Sequence, residues 1–192
     1  MSVRCSLNIL THLDVPTSNA PTTIKGNAKM AGSKHLSDPL SETMRDIYFA
    51  EKQILNALPK MADAAQSMEL KEAFETHRAQ TEVHVQRLEE AFELLGKPAD
   101  QKTCKAILGI IDEGKEVMEE LQGTDALDPG LLAGAQAVEH PEISRYVTMV
   151  TWAKTLGLDE VAHLLALTLN EEEETDELLS EIAETTVNAA AA

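Results

Sequence analysis

From Ser37 onward, apolar residues recur every three to four positions, the period of an amphipathic helix. Leu40, Met44, Ile47, Ile54, Leu58, Met61 and Ala65 form the first such stripe, interrupted by Glu51. Ser37 or Asp38, with Pro39 after it, suits the helix start, and Pro59 is expected to kink it. A second helix is predicted from about Glu69 to Leu95, on Leu70, Ala73, His77, Thr81, His84, Leu88 and Phe92; Gly96-Lys97-Pro98 stops it. Residues 102–121 read as a shorter helix carrying Cys104, Ile107, Leu108 and Ile111, and Gly123 to Gly130 as a loop. A long helix is expected from about Leu131 to Leu156, on Ala135, Glu139, Glu142, Tyr146, Met149 and Ala153. After Gly157 a last one runs from about Asp159 to Thr186, on Val161, Leu165, Thr168, Glu172, Asp176, Leu179 and Ala183.

No stretch alternates with the period of a strand, so the fold class is all-α. Short links should make the first two long helices an antiparallel pair, and likewise the last two. A connection of roughly 35 residues separates the pairs and holds the short helix. That arrangement is a four-helix bundle with one long crossover, the ferritin-like connectivity. Residues 1–37 lack the pattern: Pro16, Pro21, Gly26 and Gly32 interrupt any period, which reads as a disordered tail or a leader. The bundle is expected over 38–188, with 189–192 a frayed end.

Charge sharpens this division. The chain of 192 residues has a formal net charge of −17. Residues 1–37 carry Arg4, Lys25, Lys29 and Lys34 against Asp14 alone, so the remaining 155 residues carry about −20. Such a surface disfavours nucleic acid and anionic membranes as partners. No apolar run approaches the roughly 20 residues of a membrane span. Two cysteines, Cys5 and Cys104, make no disulfide framework and fit a reducing, cytoplasmic compartment. Cys104, on an apolar face, reads as a buried, inert thiol.

The informative residues are the polar ones on core-facing stripes. Each long helix has at least one near its middle: Glu51, His77, Glu139 with Glu142, and Glu172 with Asp176. Spacings of three and four put each pair on one helix face. Five converging carboxylates would repel one another, whereas two divalent cations would bring +4 against −5 with His77 as a neutral ligand. Oxygen-rich ligation with an imidazole suits iron, with manganese as the alternative. Taken singly, Glu51 also fits a boundary surface position and His77 a hydrogen-bonded core histidine. Glu171 rivals Glu172 within the run Glu171–Glu174. His84, one heptad beyond His77, fits a packed or supporting position. Tyr48 and Tyr146 lie a turn from Glu51 and Glu142; either could pack or hold a carboxylate. His140 faces away from Glu139 and Glu142, and Pro141 between them is expected to kink or bulge the helix.

Several ordered segments together resemble the YciE/YciF family. They are Asp46 to Met61 with Ala50-Glu51-Lys52-Gln53 and Leu58-Pro59-Lys60; His77-x-x-x-Thr81 followed by Arg87-Leu88; Lys102-Thr103-Cys104 with Gly109-Ile110; Val138-Glu139-His140-Pro141-Glu142-Ile143 with Tyr146; and Glu171-Glu172-x-x-Thr175-Asp176. The similarity spans roughly residues 38–188. It implies a ferritin-like bundle, a homodimer, a role in stress responses and a rubrerythrin-like di-metal centre held by Glu51, His77, Glu139, Glu142, Glu172 and Asp176. The sequence departs from the family pattern at Pro141, where tyrosine is usual, and near Gln80, where acidic residues are common. No rubredoxin-like Cys-x-x-Cys pair exists, so any redox chemistry would draw on an external electron donor.

Overall fold

A computed structural model describes residues 35–192; the reading of residues 1–34 as tail or leader lies outside them. Five helices account for nearly all of the described chain: α1 Ser37–Ala64, α2 Met68–Leu94, α3 Lys105–Leu121, α4 Leu127–Thr155 and α5 Asp159–Ile182. A π-helical turn, Ala183–Val187, and a last helical turn, Asn188–Ala191, follow α5. No strand occurs among the described residues, in keeping with the all-α expectation.

Helix ends follow local chemistry. The Ser67 hydroxyl accepts from the Leu70 amide at the start of α2. Gly96 and Gly157 end α2 and α4 at φ 62° and 71°, a conformation costly for any residue with a Cβ. Pro59 and Pro141 interrupt neither α1 nor α4. Neither proline side is the buried one, and Ala137, whose carbonyl Pro141 cannot bond, is exposed to solvent.

Three boundaries differ from the sequence reading: α3 starts at Lys105 rather than 102, α5 gives way to the π-helical turn after Ile182, and α4 starts early. The loop expected to reach Gly130 ends by Ala126, because α4 begins at Leu127. Pro129 falls in its first turn, where a missing N–H costs nothing. Asp128 is buried there and accepts from the amides of Gln66 (2.8 Å) and Ser67 (2.6 Å), tying the α1–α2 link to α4.

Neighbour relations run α1–α2, α2–α5, α5–α4 and α4–α1, so the four long helices form a ring; α3, in the crossover, packs on α4 and α1. Their apolar faces meet in two blocks. One is built from residues such as Leu40, Ile47, Phe92, Met149 and Leu165. The other contains Ile54, Phe74, Leu131, Leu179 and, from α3, Ile107. Between the blocks lies a layer of buried polar side chains contributed by all four long helices.

Candidate metal centre

Heptad-like phase brings the polar layer together. Glu51 of α1, His77 and His84 of α2, Glu139 and Glu142 of α4 and Glu172 of α5 are each at most 4% exposed. They form two groups. Glu51, His84 and Glu172 converge in one; His77, Glu139 and Glu172 in the other. Glu172 belongs to both: its Oε1 lies 3.1 Å from His84 Nδ1 and its Oε2 3.9 Å from His77 Nε2. Glu139 Oε1 is 3.3 Å from His77 Nε2, and Glu51 Oε2 is 3.6 Å from His84 Nδ1. The two rings are 6.3 Å apart. Glu142 adjoins the groups, with neither carboxylate oxygen hydrogen-bonded.

Outer contacts fix the imidazoles. The Thr175 hydroxyl is 2.9 Å from the Glu171 carbonyl, to which it donates. His77 Nδ1, 3.3 Å from that hydroxyl, is then best placed to donate to it, which leaves Nε2 a bare lone pair facing Glu139. On His84, Nε2 lies 2.8 Å from Glu171 Oε2. Arg87 clasps Glu171 through two nitrogens at 2.7 and 2.8 Å and holds that carboxyl below its usual range. His84 therefore donates outward as well, and its Nδ1 faces Glu172 and Glu51. Histidines anchored on one nitrogen and open on the other are the ordinary form of imidazole ligands.

Without a cation this layer is poorly satisfied. Of the nine buried side-chain nitrogen and oxygen atoms lacking a hydrogen bond among the described residues, eight belong to these six residues. Burial raises the carboxyls of Glu51, Glu142 and Glu172, and carries Glu139 to about 7. Burial also lowers His77. It acts on His84 in the same sense, but Glu172 and Glu51 outweigh it and bring that imidazole to about 10. Four carboxylates and two neutral histidines balance two divalent cations, so the donor set fits a metal pair better than the sequence arithmetic did.

Other expected residues fall elsewhere. Asp176 stays outside both groups: its Oδ1 lies 3.2 Å from Gln136 Nε2 and 3.2 Å from His140 Nε2, near the surface. Thr175, not Asp176, continues the inward stripe from Glu172 to Leu179. Tyr146 donates to Glu51 Oε1, whereas Tyr48 turns away and donates to Glu89 at 2.6 Å. Gln80 Oε1 lies 3.5 Å from the Thr175 hydroxyl, beside His77 rather than in either group. His84, read from the sequence as a packed or supporting residue, faces the inner carboxylates; the signal for it is a second histidine seven residues on along a carboxylate-facing stripe.

Fold and site together define an all-helical bundle whose buried carboxylate and histidine side chains could hold metal ions. The family model described as "Domain of unknown function (DUF892)" matches residues 35–192, and the chain belongs to that family. Protein YciF of Escherichia coli (strain K12) is 36% identical over 156 residues, which cover 81% of this chain and 94% of that protein. The crystal structure of YciF, described as a stress protein, superposes with a TM-score of 0.77 at 36% identity, covering 81% of this chain and 99% of that one. YcfI of Rhodopseudomonas palustris, whose description proposes a structural role, gives 0.75 at 38% identity over 79% and 96% of the two chains. No helix among the described residues is long and apolar enough to cross a membrane.

Proposed function

We propose that this chain is a di-metal carboxylate protein of the ferritin-like type, binding iron, or manganese in its place, and serving a stress response through peroxide- or oxygen-linked redox chemistry. The observation that carries the reading is the pair of imidazoles, each anchored by an outer partner and each presenting its free nitrogen to carboxylates that share Glu172. Glu51, His84 and Glu172 would hold one ion, and His77, Glu139 and Glu172 the other, with Glu142 available to either. A redox-active pair of ions there would exchange electrons with peroxide or dioxygen.

The chain's own side chains supply the setting. Glu171 and Arg87 orient His84, Thr175 orients His77, and the Tyr146 hydroxyl holds Glu51. The apolar blocks on either side keep bulk water from the layer. The reading includes a homodimer in the cytoplasm and an external electron donor, since the sequence has no Cys-x-x-Cys pair.

Elemental analysis and Fe(II) or Mn(II) titration test the reading. About two ions per chain are expected, with an absorbance change on adding peroxide. Well under one ion per chain with no uptake of either metal would sink it. The structural role proposed for YcfI supports a second reading, a non-catalytic stress protein on the same scaffold. That reading requires stability and partner binding to be insensitive to both metal and Glu51→Ala.

A further inference from the structure

Beside the polar layer lies a partly open cavity of about 160 Å³ lined by α1, α2, α3, α4 and α5. Its walls are apolar, formed by side chains such as Ile54, Leu58, Phe74, Met118 and Leu131. Polar atoms gather at its two ends. Asn56, Lys60 and Lys115, exposed on α1 and α3, mark the mouth. At the inner end stand His77, Glu139 and Thr175, and the unpartnered Nε2 of His77 and Oε2 of Glu139 belong to residues of that wall.

Glycines on α4 show how the space arises. A Cβ added at Gly130 would lie 2.7 Å from Val117 Cγ1 and 2.8 Å from Leu121 Cδ1, so glycine lets α3 come close there. One turn on, a Cβ at Gly134 would meet nothing within 4 Å, and neither would one at Gly114 on α3. Both line the cavity. Glycine inside a helix costs about 1 kcal/mol relative to alanine. At these two positions no close contact accounts for that cost; what they leave is open volume.

We propose that this cavity binds a compact, uncharged apolar molecule and presents it to His77 and Glu139. Its size sets the class: a dry cavity of about 150 Å³ lined by Leu, Ile and Phe takes benzene or xenon. Between its polar ends the apolar walls offer water few partners, and an alkyl or aromatic group of about six to eight heavy atoms fills the volume. Presentation to a metal-bearing site rests on the function proposed above; binding itself does not.

Benzene is the probe. Thermal unfolding of the full chain is followed with and without benzene, in chelator and after Fe(II) loading. Wild type should gain about 2 °C or more at saturating benzene. Gly134→Leu, which fills the cavity while improving helix propensity, should bind metal as wild type does and lose the benzene response. Gly114→Leu, approaching from the opposite wall, should behave alike and serves if Gly134→Leu does not fold. Absence of a wild-type response, or an undiminished response in the filled variants, overturns the proposal. A benzene response without metal uptake would sink only the metal reading, and uptake without a benzene response only this one.

Discussion

Glu172 is the residue on which both groups of the polar layer depend, and its two oxygens divide between the two histidines. Glu172→Gln is therefore expected to reduce metal uptake from about two ions per chain to below one, whereas Glu139→Gln should keep close to one. Titration followed by elemental analysis separates the two outcomes. Glu171 acts one step out. With His84 no longer anchored between Arg87 and the inner carboxylates, Glu171→Gln should weaken metal affinity by about 10–100-fold. Glu173→Gln, on an exposed position, is the control. Glu142 makes the opposite stability prediction. Both its oxygens are buried without partners, so in chelator Glu142→Gln should raise stability by about 1–3 kcal/mol in urea unfolding. A loss of stability there would count against a layer built for cations. Most of these residues were legible in the sequence because a charge on an apolar stripe stands out. His84 did not stand out, since a histidine is common in a core. Asp176, at the plausible same-face spacing i,i+4 from Glu172, lies outside the two groups because the buried stripe steps by three to Thr175 and then by four to Leu179.

Helix order, the long crossover and the antiparallel pairs follow from periodicity and link lengths, and those were readable in advance. The start of α4 was not. Gly123, Pro129 and Gly130 resemble loop punctuation, and the anchor that overrides them, Asp128 on the Gln66 and Ser67 amides, is a contact some sixty residues away. Asp128→Ala would leave two amide donors unsatisfied and cost about 1–3 kcal/mol, read as a lower urea midpoint with unchanged helicity. The place of α3 was equally hidden: its sequence marks it as amphipathic, but only its seat on Gly130 and its gap at Gly134 define what it encloses.

For the molecule as a whole, stability should depend on pH in opposite ways with and without metal. Burial holds the Glu139 carboxyl near 7 in the folded chain, and the inner carboxylates hold His84 near 10. Both groups then bind a proton more tightly folded than unfolded. Their contribution is complete below the unfolded values, about 4.3 for Glu and 6.5 for His, and is lost as pH rises through 7 and then 10. The lowered His77 opposes this around its ordinary value without reversing it. Metal-free protein should thus have a lower urea midpoint at pH 8 than at pH 5.5. Metal ions need ionised carboxylates and unprotonated imidazoles, so the stabilisation they add should grow over the same interval. A midpoint in chelator that climbs with pH would contradict this.

The two apolar blocks carry one last consequence, for how the bundle comes apart. Every long helix threads both blocks, yet at mid-length its buried face meets charge instead of hydrocarbon. In the absence of cations, this layer is expected to be the weakest join between the two blocks, so that one block can open while the other stays shut. Without metal, amide hydrogen exchange should find the helical amides around Glu51, His77, Glu139 and Glu172 less protected than those inside either apolar block. Adding metal should fuse the two exchange units into one. On the proposed function, whether this protein unfolds as a single cooperative body would then be set by the cations available to it.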